Sequence, residues 1–319
     1  MKLSTLIAGA ALALAATAAN AAWPDHPVRI VVPYPPGGAV DAVTRKVAQQ
    51  LTLQTGQTFI VDNKAGATGT IGAGQVVHAQ ADGYTLMAND TTYTTLPFIF
   101  QSLSWDPRTA LTPVSAFMFA PMAVAVRKES PFHTLQGLLA AARAQPGKVT
   151  FGTGGIGTTP HFATEAMAQA SHTTLMHVPF KGAGEATVAV LSGTVDFQIA
   201  STPGVIAQVQ NGTMRLLAIS GEERLKALPD VPTFRQAGLD DEGVINFTGL
   251  WAPKGTPMAV QQRLQAEVAK AMASPDMQRF AATLGADPRA VAGEDFQRMV
   301  AQRQKVWEAV SRQINLQKQ

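Results

Sequence analysis

The sequence predicts a two-lobed α/β protein in which each lobe is a mostly parallel sheet flanked by helices and the chain crosses between the lobes twice. Three observations predict it. From Val28 onward, short apolar runs alternate with longer helical patterns, as in parallel sheets covered on both faces. Two junctions of strand, glycine loop and helix occur, at Val31-Val32-Pro33-Tyr34-Pro35-Pro36-Gly37-Gly38 and at Phe151-Gly152-Thr153-Gly154-Gly155-Ile156-Gly157-Thr158. The chain, 319 residues in all, is long for one core and suits two domains of ordinary size.

Residues 1–21 read as a secretory signal peptide. Lys2 precedes an apolar run over 6–19, shorter than the roughly 20 residues that span a bilayer, and Ala19-Asn20-Ala21 suits signal peptidase, with cleavage after Ala21. Residues 28–32 are the first strand. Val43, Val47 and Leu51 place a helix over 42–55, stopped by Gly56. A strand over 59–62 enters the glycine-rich turn 63–72, a helix follows over 73–80, and Asp82-Gly83 turns the chain into a strand over 84–88.

The strand over 118–126 is expected to cross into the second lobe, because a new series of strands and helices begins after it. That series comprises helix 135–144, the second glycine junction, helix 162–170, a strand around 177–180, helix 185–192, strand 195–200 and strand 216–220. The chain is expected to cross back around 247–252, and three helices from Pro257 onward complete the first lobe. The expected division is therefore 22–122 with 250–319 for one lobe and 123–249 for the other.

Composition narrows the chemistry. Cysteine is absent, which excludes disulfides, thiolate catalysis and Cys-ligated metals. The net charge of +3 is dispersed without basic runs, against a nucleic-acid partner. The six histidines form no H-E-x-x-H pattern or close cluster, so no metal is expected. Gly152 to Gly157 matches G-x-G-x-x-G, but the next strand ends at Val178-Pro179-Phe180-Lys181 without the acid that a dinucleotide ribose needs, and no cofactor is expected. No G-x-S-x-G elbow appears, and no catalytic residue is nominated.

Both glycine junctions lie at carboxyl ends of predicted strands, where open parallel sheets bind ligands. Gly37 and Gly38 expose backbone N-H groups at a helix start, a setting that accepts anions. Thr158 and Thr159 can cap a helix or donate to a ligand, and Asp41 can face the cleft or complement the helix dipole. His161 reads more readily as a packing or capping residue than as a catalyst. Tyr34 offers an apolar wall, and Ser201 adds a hydroxyl at the same edge.

These segments resemble the periplasmic substrate-binding proteins of tripartite tricarboxylate transporters, the Bug-type receptors, over essentially the whole mature length. The resemblance rests on Pro27-Val28-Arg29-Ile30-Val31-Val32-Pro33-Tyr34-Pro35-Pro36-Gly37-Gly38 with Asp41, on Val61-Asp62-Asn63-Lys64-Ala65-Gly66-Ala67-Thr68-Gly69, on Asp82-Gly83-Tyr84-Thr85-Leu86 and on the second glycine loop. It continues through Val178-Pro179-Phe180-Lys181-Gly182, Leu228-Pro229-Asp230-Val231-Pro232-Thr233 and Trp251-Ala252-Pro253-Lys254-Gly255-Thr256-Pro257.

The resemblance implies a Venus-flytrap fold of the type II kind, a periplasmic location, a small carboxylate as ligand and a membrane permease as partner, with a monomeric receptor expected. It places ligand contacts at Tyr34, Gly37, Gly38, Asp41, Thr68, Thr153, Thr158, Thr159 and His161. Many relatives carry an acid after the strand matching 195–200, where this chain has Ser201-Thr202, which favours a dicarboxylate or aromatic carboxylate over an amino acid. The alternatives are a receptor feeding a sensor kinase and an exported hydrolase using His161 and a threonine.

Overall fold

The structure of the chain is a computed structural model that describes residues 23–239, 243–313 and 318. The expected signal segment and its cleavage after Ala21 lie outside the described residues. In β1 (Val28–Val32), Val28, Ile30, Val31 and Val32 are all fully buried, as a strand covered on both faces requires. α1 (Ala39–Thr55) lays Val40, Val43, Val47 and Leu51 against the sheet and ends at Gly56, whose φ is 73°. It starts at Ala39 rather than Ala42, which puts Asp41 inside the first turn.

β2 (Phe59–Asn63) leads through a 3-10 turn (Ala67–Gly69) into α2 (Thr70–Val77), and β3 (Thr85–Asp90) follows. β1 pairs in parallel with both neighbours, Ile30 lying opposite Val61 and Leu86. After β3 the chain makes a second 3-10 turn (Thr91–Thr95) and a short helix α3 (Leu96–Ile99), which the apolar spacing does not predict.

β4 (Leu111–Arg127) is far longer than the expected strand over 118–126. The second lobe then runs α4 (Leu135–Ala144), β5 (Thr150–Thr153), α5 (Thr159–Ala170), β6 (Met176–Pro179), α6 (Ala183–Ser192), β7 (Phe197–Ser201), α7 (Thr202–Gln210) and β8 (Met214–Ile219). The chain returns as β9 (Ile245–Pro253), followed by α8 (Met258–Met272), α9 (Pro275–Thr283), β10 (Val291–Ala292) and α10 (Gly293–Gln313).

The strand order β2-β1-β3-β9-β4-β7-β5-β6 is continuous because β4 serves both lobes. Its first part pairs antiparallel with β9 as far as Pro121 opposite Ile245; its second part meets β7 and β8 from Met122 opposite Ser201 and Ala123 opposite Ile219. The chain re-enters the first sheet at Ile245, within the 123–249 segment that the sequence assigns to the second lobe. Ser220 fastens the two crossings together. Its N-H reaches the Met122 carbonyl at 2.7 Å, its Oγ accepts the Met122 N-H at 2.8 Å, and the same hydroxyl donates to the Val244 carbonyl at 2.7 Å.

α10 does not serve the first lobe alone. Trp307 is fully buried, donates Nε1-H to Thr94 Oγ1 at 2.8 Å and meets Phe162 of α5 edge to face at 5.4 Å. One apolar cluster therefore runs through both lobes, taking in Met87 and Trp251 of the first sheet and Phe151 and Phe197 of the second.

Candidate functional site

The carboxyl ends of β1, β3, β5 and β7 meet at one cavity of about 360 Å³ between the lobes, a size suited to a small solute. Four helices begin at its wall: α1 at Gly37-Gly38-Ala39, α5 at Thr158, α6 at Gly182-Ala183-Gly184 and α7 at Ser201. None of the four has a side-chain cap, whereas Thr134 and Ser274 cap α4 and α9 at 3.1 and 3.2 Å. α2 and α8 also lack side-chain caps, so the distinguishing feature is that four such ends converge. No Lys or Arg lines this cavity among the described residues. The groups there that can meet an anion are N-H groups of helix starts and hydroxyls instead of cationic side chains, and two acids, Asp90 and Glu185, line the same cavity.

Two of the glycines in these loops are required, one for its backbone conformation and one for a close approach. Gly37, on the cavity wall, holds φ at 84°, a conformation that side chains resist. At Gly154 a Cβ would lie 2.8 Å from the Ala183 nitrogen, so only glycine lets the β5 loop close against the start of α6.

Of the residues nominated from sequence, Tyr34, Gly37, Gly38, Thr153, Thr158 and Ser201 line the cavity, whereas Asp41, Thr68, Thr159 and His161 do not. Asp41 braces the loop from behind. Its Oδ2 accepts the Gly37 N-H at 2.9 Å and Arg45 Nε at 3.0 Å, and its Oδ1 accepts Asn63 Nδ2 at 2.9 Å. Burial works to raise this carboxyl, but the bonds from Arg45, Gly37 and Asn63 outweigh it and hold the pKa below the usual range.

Thr68 and Thr159 instead join the lobes. Thr68 Oγ1 donates to the Ile156 carbonyl at 3.1 Å, and Thr159 lies with its N-H 3.1 Å from Thr92 Oγ1. Thr95 adds a third tie, donating to the Gly157 carbonyl at 2.6 Å. Thr158 occupies the cap position of α5 without capping it, since its hydroxyl donates to the Gly155 carbonyl at 2.9 Å.

His161 points away from the cavity into an aromatic stack. Its ring lies 4.1 Å from that of His177, which in turn stacks on Phe151 at 4.8 Å. Nδ1 accepts the Gly157 N-H at 3.1 Å, which requires an unprotonated nitrogen and fixes the glycine loop. Burial, followed by the charge of His177, pushes His161 down to about 3, and burial pushes His177 down to about 4. His177 Nε2 sits 2.6 Å from Thr153 Oγ1, so the stack also orients a residue of the cavity wall.

The sequence does not nominate Asp90, at the end of β3, or Asn246, in β9. Both line the cavity beside Tyr34, whose hydroxyl is 2.7 Å from Asn89 Oδ1 and 3.0 Å from Asp90 Oδ1. Burial raises the Asp90 carboxyl against the opposing hydrogen bonds from Thr92, Tyr34 and Asn246. The signal available in the sequence was the placement of Asn89-Asp90-Thr91 at the carboxyl end of a predicted parallel strand.

The model of the tripartite tricarboxylate transporter family receptor matches residues 43–316. The chain belongs to this receptor family. Among solved structures, the tripartite tricarboxylate receptor described here is similar to the periplasmic binding protein BugD, with 30% identity, a TM-score of 0.86 and coverage of 93% of this chain and 100% of that one. It is also similar to two structures from Rhodopseudomonas palustris. Rpa4515 with adipate is 29% identical at a TM-score of 0.87, covering 91% of this chain and 97% of that one. MatC with bound malate is 28% identical at a TM-score of 0.84, covering 91% and 100%. The receptor thus has the expected periplasmic-binding-protein fold and belongs to a family of periplasmic solute receptors.

Proposed function

We propose that this receptor captures a small carboxylate between its two lobes and presents the closed form to a tripartite tricarboxylate-type membrane permease. The observation that carries this reading is the convergence of four uncapped helix starts on one cavity without a basic side chain. Such a site favours an anion through backbone dipoles and N-H groups supplied by both lobes. An anion bridging Gly37-Gly38 and the loop before α5 stabilises the closed arrangement by its differential contacts, and closure is the signal a permease can read. The relatives solved with adipate and malate support the carboxylate class.

The proposed contacts are the cavity-lining Tyr34, Gly37, Gly38, Thr153, Thr158 and Ser201, with Asp41 and His161 holding the two loops and Thr68 and Thr159 joining the lobes. The test is thermal unfolding of the chain from Ala22 onward against mono-, di- and tricarboxylates, aromatic carboxylates and amino acids. A ligand at a hundred times its Kd stabilises by about 2.7 kcal/mol, which shifts the melting temperature measurably. A shift confined to one carboxylate class supports the reading; no shift with any carboxylate overturns it.

A further inference from the structure

Buried contacts between the lobes gather at two places. At the crossing, Ser220 joins both strands. Beside it Thr202, fully buried at the start of α7, donates to the Gly285 carbonyl at 2.8 Å, in a loop that also pairs Asp287 with Phe119 of β4. The second place is the start of α5. There Thr92 and Thr95 of the first lobe hold the Thr159 N-H and the Gly157 carbonyl, and Trp307 meets Phe162. Ile99 packs so closely on Gly157 that a Cβ there would lie 2.1 Å from Ile99 Cδ1. Thr92, Thr95, Ile99, Thr159, Phe162 and Trp307 are all buried.

A third contact is of another kind. Pro35 of the first lobe lies against Gly182 of the second, where a Cβ would stand 3.4 Å from Pro35 Cγ. The hydrogen bonds of these segments stay within their own lobes, as from the Gly37 N-H to Asp41 and from the Lys181 N-H to Glu185. Among the described residues none crosses between 35–38 and 182–185. Pro35, Pro36 and Gly37 on one side and Ala183, Gly184 and Glu185 on the other are exposed and also line the cavity, which makes this its mouth.

We infer that the start of α5 is a second pivot beside the crossing of β4 and β9, and that the lobes part only at the mouth between Pro35-Pro36-Gly37 and Ala183-Gly184-Glu185. This inference rests on the two-lobed receptor reading above and assigns the motion that admits the solute. Two places of lasting contact define an axis of rotation. Parting the lobes at α5 would bring the Trp307 and Phe162 rings into water and give up the bonds to Thr159 and Gly157. Parting them at the mouth gives up a proline-on-glycine contact and no hydrogen bond. Openings draw on the least buried contacts, so the mouth moves and the α5 site holds. Thr68 and Ile156 are half-buried at the rim of that site, outside the buried set, and their bond breaks and forms with the mouth.

Because the chain has no cysteine, one introduced disulfide tests the mouth. Pro35→Cys with Gly182→Cys, in the chain from Ala22 onward, compares a mouth free to open when reduced with one locked when oxidised. Trp307 is read by NMR of 5-fluorotryptophan protein, its resonance assigned with Trp307→Phe. Without solute, the reduced form is expected to have the larger radius of gyration in small-angle scattering. The Trp307 resonance is expected to keep its position in both forms and to resist broadening by a soluble paramagnetic agent. Oxidation before solute is added should slow binding of the mono-, di- and tricarboxylate panel at least a hundredfold. A Trp307 resonance that shifts or broadens in the reduced form overturns the pivot and leaves the receptor reading standing. Failure of the pair to cross-link, equal radii, or equal binding rates in the two forms overturns the mouth. Binding of no carboxylate by the wild type overturns the receptor reading itself. The wild-type Trp307 resonance with the paramagnetic agent decides the pivot even if the cysteine variant fails to fold.

Discussion

The Thr68 hydroxyl donates a 3.1 Å hydrogen bond to the Ile156 carbonyl, tying the second glycine-rich turn of the first lobe to the central loop of the second. Thr68 reaches across with φ at 51°, a left-handed conformation uncommon for a residue with a Cβ. This bond joins the two lobes, so on the proposed closure mechanism Thr68→Val, which keeps the shape and removes the donor, should weaken solute binding by about 2- to 10-fold, the range of one net hydrogen bond. The order of preference among solutes should not change. Calorimetry across a solute panel checks both statements.

Thr158 contributes its hydroxyl to the Gly155 carbonyl and lines the cavity without capping α5. Thr158→Ala should therefore lower carboxylate affinity more than it lowers the unliganded melting temperature. An equal loss of stability with unchanged affinity would assign Thr158 to the scaffold. Parallel melting curves with and without ligand separate these outcomes.

Asp41 is buried and holds Gly37, Arg45 and Asn63 through one carboxylate. Asp41→Ala should destabilise the protein by about 1–3 kcal/mol, because it removes a buried carboxylate that accepts hydrogen bonds from Gly37, Arg45 and Asn63. The loop at Gly37-Gly38 loses its brace in the same variant, so affinity should also fall. Denaturant unfolding and titration of the folded variant measure the two effects separately.

The stacked histidines set a pH dependence. His161 and His177 stay neutral in the folded protein down to about 3 and about 4, whereas in the unfolded chain they take up protons near the usual imidazole value of about 6.5. Between these limits the unfolded state binds more protons, so stability rises with pH and is lost as pH falls from about 6.5 toward 4. Each histidine contributes a slope of up to about 1.4 kcal/mol per pH unit in that window. Asp41, whose carboxyl is held low, adds a loss in the same direction at more acid pH. Melting temperatures of the wild type and His161→Gln from pH 7 to 4.5 check this, with a shallower decline expected in the variant.

Local pattern made much of this fold legible. The buried run Val28 to Val32, the spacing of Val43, Val47 and Leu51, and the two glycine junctions each encode their structure within a few residues. Long-range pairing was not legible. Nothing local shows that β4 would extend from Leu111 and serve both sheets, since that depends on β9, a strand more than a hundred residues later, lying opposite its first part. His161 turns from the cavity because His177, on a different strand, provides a stacking partner. Asp90 and Asn246 escaped notice for the same reason: they are far apart in sequence and become one cluster only when β3 and β9 pair.

The central claim is that the convergent helix starts bind a carboxylate because it is an anion. Calorimetric titration of a carboxylate that stabilises the protein, compared with its uncharged primary amide of the same shape, tests this most directly. Saturable 1:1 binding of the acid, with the amide at least a hundredfold weaker, is the predicted result. Equal binding of acid and amide, or no binding of any carboxylate, would contradict it.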